Sequence, residues 1–143
     1  MHGAMKSRLV LSAALLASAA LASPVSAGPR TLVSYEQSGG IAGIQTSMSV
    51  SVGGSARLTS TRTEGIKRFR LTAPELRRLK RDLRDARCSR LRSLYDSKTP
   101  IADGISQTIR YAGYRVTVST GGRPPERLRK VLTRLSRLAS RSD

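Results

Sequence analysis

Side chains able to do covalent or acid–base chemistry are scarce in this sequence. The one histidine is His2, and the one cysteine is Cys88. A single thiol without a histidine beyond position 2 offers no Cys-His or Ser-His pair for nucleophilic catalysis. It offers no metal-ligand spacing either. The closest pair of acids, Asp82 and Asp85, stands among arginines, where i, i+4 ion pairing along a helix is the better reading than an acid/base couple. A glycine run, Gly39-Gly40-Ile41-Ala42-Gly43, could present backbone to a ligand. It lacks the G-x-G-x-x-G form, however, and leads toward a strand rather than a helix, so it is not a phosphate cradle. These residues point to a protein that binds rather than one that catalyses, with no cofactor and no metal.

The glycine run stands out for what it can present. Three glycines in five positions allow positive φ and close approach to another surface. Ile41 is the one large apolar side chain between them. The candidate partner-binding residues are therefore Gly39, Gly40, Ile41, Ala42 and Gly43.

The elements that must carry this loop can be read in order. Met1 to Ala27 has the form of a secretory signal: Lys6 and Arg8, then an apolar run from Leu9 to Leu21, then Val25-Ser26-Ala27 as a small-x-small cleavage site. The apolar run is too short to span a membrane. A secreted chain would begin at Gly28 and keep 116 of the 143 residues as one α+β domain, 28–143. Losing Lys6 and Arg8 lowers the formal charge from +17 to +15, which favours solubility and attracts polyanions.

Arg30 to Gln37 reads as a strand. Ile44 to Val52 alternates with period two, placing Ile44, Thr46, Met48, Val50 and Val52 on one face. Gly53-Gly54 signals a hairpin, and Ser55 to Arg62 returns with Ala56, Leu58 and Ser60 inward. Glu64-Gly65 is expected to turn the chain before a short extended piece, Ile66 to Leu71. Thr72-Ala73-Pro74-Glu75 is a helix start with a capping box and a proline in the first turn. Leu76, Leu79, Leu83 and Ala86 form the buried stripe of that helix. At about 100° per residue Cys88 falls off this stripe, which predicts an exposed thiol, either free or in an intermolecular link. Leu91 and Leu94 either continue the helix or cover its end.

Ser97 to Gly104 is a loop. Gln107 to Tyr111 and Tyr114 to Ser119 form a hairpin around Ala112-Gly113, with Ile109, Tyr111, Tyr114, Val116 and Val118 inward. Pro124-Pro125-Glu126 opens a second helix whose apolar face is Leu128, Val131, Leu132, Leu135 and Leu138. The expected architecture is an antiparallel sheet of about four to six strands with two amphipathic helices packed on one face.

Several of these segments, taken in order, resemble the emfourin family of protealysin inhibitors. They are Gln37-Ser38-Gly39-Gly40-Ile41-Ala42-Gly43 with Tyr35 before it, Phe69 to Leu76 leading into the leucine-rich helix, the Tyr-Arg-Val-Thr-Val strand at Tyr114 to Val118, and Pro125 to Leu128. The resemblance implies a protein inhibitor of thermolysin-type, protealysin-like zinc metalloproteases, without a cofactor of its own; the chain is expected to be a monomer. The alternative reading is a basic cell-envelope or polyanion-binding protein whose helix arginines hold anionic polymers weakly. That alternative rests on charge alone and lacks an aromatic platform for single-stranded nucleic acid.

Overall fold

A computed structural model describes residues 30–99 and 101–141. The signal-like segment lies outside the described residues. The chain forms β1 (Thr31–Gly39), β2 (Ile44–Ser51), β3 (Ser55–Ser60), β4 (Thr63–Arg70), α1 (Ala73–Ala86), β5 (Leu94–Tyr95), β6 (Ile105–Tyr111), β7 (Tyr114–Ser119) and α2 (Glu126–Ser140). The strands make one seven-stranded sheet in the order β4-β3-β2-β1-β6-β7-β5. Every neighbouring pair is antiparallel except β5 with β7. The α+β architecture is the expected one. The seventh strand is the two-residue β5, where Leu94 follows the first helix and lies parallel to β7.

Alternation sorts the sheet into an apolar and a polar face. Val33 and Tyr35 of β1, Met48 and Val50 of β2, Ala56 and Leu58 of β3, Ile109 of β6 and Val116 of β7 are buried with the helix leucines. From α1 this core takes Leu79, Leu83 and Ala86; from α2 it takes Leu128, Val131, Leu132, Leu135 and Leu138. Both helices thus lie on one face of the sheet.

Asp82 departs from the expectation of an intrahelical pair. It lies three residues after Leu79, at the edge of the stripe, and is buried against α2. Its carboxylate accepts a hydrogen bond from Arg134 Nε at 2.6 Å and lies 3.6 Å from Lys130 Nζ. Arg141, just past the end of α2, reaches Glu75 in the first turn of α1 at 2.6 Å. The contacts run in opposite order along the two helices, which are therefore antiparallel.

The start of α1 is as expected: the Thr72 hydroxyl accepts from the Glu75 N–H, and Glu75 accepts from the Thr72 N–H. The Arg141 guanidinium, with the Thr72 N–H beside it, holds the Glu75 carboxyl down to about 2.

Four local expectations are corrected. Cys88 is buried rather than exposed. Arg87 turns left-handed at φ 48° and the chain tightens into a 3₁₀ turn, Cys88–Arg90, so the helical phase ends before the thiol. Val52 is 45% exposed because β2 ends at Ser51 and Val52 belongs to the turn, closed by the Gly54 N–H on the Ser51 carbonyl. Tyr114, at the start of β7 next to the Ala112-Gly113 turn, is 47% exposed. The β3–β4 connection is Thr61-Arg62. Glu64 and Gly65 are instead extra residues inside β4, between the Ser60–Thr63 and Thr59–Ile66 pairs, with Gly65 at φ 86°. The Ala112-Gly113 hairpin holds, with φ of 50° and 83° at its two turn residues.

Two outcomes follow for stability. Replacing Arg134 by leucine leaves a buried carboxylate without its closest partner and should cost about 3 kcal/mol in denaturant unfolding, whereas Lys130→Ala, at an exposed ammonium, should cost less than about 1 kcal/mol. Equal losses would show that Asp82 is solvated. Because the Glu75 carboxyl titrates lower in the folded than in the unfolded chain, its contribution is complete above the unfolded value of about 4.3. It is lost as pH falls toward about 2. The stability difference between wild type and Glu75→Gln should therefore shrink over that window, and a difference that stays constant from pH 6 to pH 2 would contradict the pairing.

Candidate functional site

The glycine run forms the tip of the β1–β2 hairpin. Gly39 pairs with Ile44, and the Gly43 N–H closes the turn on the Gly40 carbonyl at 2.9 Å. Ile41 and Ala42 are the central residues of that turn, and Ile41 is 92% exposed. Gly39, Gly40 and Gly43 all have positive φ, at 116°, 81° and 57°. From Gln37 to Ala56 no residue carries a charge, so a neutral hairpin projects from a strongly basic protein.

The five predicted residues do not play one role. A Cβ on Gly39 would stand 2.1 Å from the Gly104 carbonyl oxygen, so Gly39 is where the hairpin root and the 101–104 loop meet backbone to backbone. A Cβ at Gly40 or Gly43 would meet nothing within 4 Å. Gly39 is thus a packing requirement, Gly40 and Gly43 are conformational requirements, and Ile41 with Ala42 is what the tip presents.

The root is held along its β6 side. Tyr35 is buried, and burial raises its phenol above the ordinary value. Its hydroxyl donates to Gln37 Oε1 at 2.7 Å and accepts from Gln107 Nε2 at 2.9 Å, tying β1 to β6 just below the tip. On the far side of β6, the Ile105 N–H donates to Thr120 Oγ1 at 2.7 Å and the Thr120 N–H donates to the Ile105 carbonyl at 2.9 Å.

The structure adds two residues that the sequence reading missed. Ile105 pairs with Gly39 and is 42% exposed; Ile101, in the neighbouring loop, is 47% exposed. Three exposed isoleucines therefore mark the same end of the sheet. The available signal was an isolated isoleucine on either side of Asp103-Gly104, a turn pair that no core stripe claims.

Among the described residues no group of three His, Cys, Asp or Glu is placed to hold a metal ion. No helix among them is long and apolar enough to cross a membrane. The buried Cys88 thiol is pushed up by burial, which disfavours the reactive thiolate. What the hairpin offers chemically is shape and apolar surface. No protein-family model matches the chain, and no curated protein matches it.

The two classes of glycine separate experimentally. Gly39→Ala should destabilise by more than about 2 kcal/mol, since it adds a clash with a backbone carbonyl to the strain of positive φ. Gly40→Ala should cost only the left-handed penalty of about 1–2 kcal/mol. Thermal melts that rank the two variants the other way would contradict the close approach at Gly104.

Proposed function

We propose that this chain is a secreted, monomeric, non-enzymatic inhibitor of thermolysin-type zinc metalloproteases that binds through the Gly39–Gly43 hairpin. One observation carries the reading: a large apolar side chain, Ile41, stands 92% exposed at the apex of a hydrogen-bonded turn. Single exposed apolar residues are common on protein surfaces. This one differs in standing on a glycine-flanked, charge-free projection that can enter a concave site. The ordered resemblance to the emfourin family supports the same target class.

In this reading Ile41 fills the apolar pocket that thermolysin-type proteases offer to the residue just after the scissile bond. Gly40, Ala42 and Gly43 let the backbone approach the cleft. The Gly43–Gly40 hydrogen bond keeps the segment turned, away from the extended form that a protease cleaves. Ile101 and Ile105 lie at the same end and would border the contact. No cofactor is required, because the ligand to be blocked is the protease's own cleft.

The test is inhibition of a purified thermolysin-type protease by the purified chain. Burying an isoleucine contributes about 1.5–3 kcal/mol, so Ile41→Ala should weaken inhibition by about ten- to a hundredfold. Its melting temperature should stay that of the wild type, because the side chain is exposed. Absence of inhibition by the wild-type chain would overturn the proposal. An unchanged inhibition constant for Ile41→Ala would remove the hairpin from it.

A further inference from the structure

The second surface lies on the side of the sheet that the helices leave bare. Strand register lines up one residue from each of six strands across it. Arg68 of β4 pairs with Arg57 of β3, Arg57 with Ser49 of β2, and Ser49 with Ser34 of β1; Ser34 then pairs with Arg110 of β6, and Arg110 with Arg115 of β7. The row reads Arg-Arg-Ser-Ser-Arg-Arg. At about 4.8 Å between strands it is about 24 Å long.

All four arginines are exposed. Among the described residues Arg57, Arg68 and Arg115 form no ion pair, and Arg110 meets only Glu36, at 3.9 Å. Like charges directly across a strand pair oppose sheet formation. Two such pairs, Arg57–Arg68 and Arg110–Arg115, therefore stand against the fold's own interest. Beside this row runs a second one of Thr59, Ser47, Glu36, Thr108 and Thr117, four of its five members hydroxyls. Two shallow grooves open on the same face, one over Ser47, Thr59 and Arg115, the other over Ser49, Arg57 and Arg68.

We propose that this bare sheet face binds a linear acidic polysaccharide, laid across the strands along the arginine row. Guanidinium groups match carboxylates in planar, two-point fashion. The Ser34 and Ser49 hydroxyls between the arginine pairs both donate and accept, as the hydroxyls of a sugar chain require. A single-stranded nucleic acid fits less well. Its bases need aromatic side chains to stack on, and every aromatic residue falls on the helix side. Tyr35, Phe69, Tyr95 and Tyr111 belong to or pack on the core, and Tyr114 is opposite Tyr111. The face is distinct from the Ile41 hairpin tip, so the proposal does not rest on protease inhibition. It also differs from binding by the helix arginines, which lie on the opposite side of the sheet.

The experiment measures binding of the purified chain to polygalacturonate, with dextran as a neutral polymer and mixed-sequence single-stranded DNA as a phosphate polymer. The expected result is polygalacturonate binding that weakens as salt rises and exceeds binding to both other polymers. Arg57→Ser with Arg115→Ser should weaken it by about tenfold or more. A charge-matched pair on α1, Arg78→Ser with Arg81→Ser, should change it much less. Amide shift mapping on the wild-type chain gives the same answer without variants, with shifts at Ser34, Ser49, Arg57 and Arg110 rather than on the helices. Equal losses for the two double variants, shifts confined to the helices, tighter binding to DNA, or no binding at physiological salt would each overturn it.

Discussion

Both helices lie on one face of the seven-stranded sheet, and most of this structure follows from that constraint. The covered face must supply the core, so Val33, Tyr35, Met48, Val50, Leu58, Ile109 and Val116 all point toward α1 and α2. The helices must then be held together as a layer. Asp82 does this from within, as a buried carboxylate bonded to Arg134. Buried ion pairs are weak sources of net stability but strict about geometry. Here the geometry they fix is the antiparallel setting of α1 on α2, which Glu75 and Arg141 close at one end. The other sheet face has no cover and must satisfy water, which it does with serine, threonine and arginine.

The same constraint separates the molecule's surfaces by chemistry. Positive charge spreads over the outer sides of both helices and over the bare sheet face. The β1–β2 hairpin carries none, because the whole run from Gln37 to Ala56 is uncharged. A neutral projection on a basic body can contact an apolar site while the body's field favours approach to acidic surroundings. Docking at the hairpin tip leaves the arginine row open, since the row crosses the strands well below the tip, at Ser34 and Ser49.

Where local pattern decides structure, the elements were legible in the sequence. Met48 and Val50 were placed by alternation, the helix at Thr72 by its capping box, and all five α2 core residues by helical spacing. The failures occur where the chain changes conformation within a residue or two. Helical phasing carried through to Cys88 puts it off the stripe, but Arg87 ends the helix one residue earlier. Glu64-Gly65 has the composition of a turn, whereas Gly65 serves a bulge inside β4. The hairpin tip was legible from glycine content, yet the separate duty of Gly39 was not, because it arises from Gly104, distant in sequence. The arginine row was illegible for a related reason: it exists only once β1 lies between β2 and β6, and no local signal specifies that neighbour.

The meeting of Gly39 with Gly104 also bears on how the tip can bind. A loop that must be ordered on binding loses affinity to that ordering. Here the root is fixed along its β6 side before any partner arrives, by the backbone contact at Gly104 and by the Tyr35 hydroxyl shared between Gln37 and Gln107. Freedom is left only in the four residues from Gly40 to Gly43, and their own hydrogen bond limits it further. A tip so mounted keeps its apolar side chain outward without help from a ligand. The rigidity comes from the core below it, since Tyr35 is anchored under the helix layer that Asp82 holds in place.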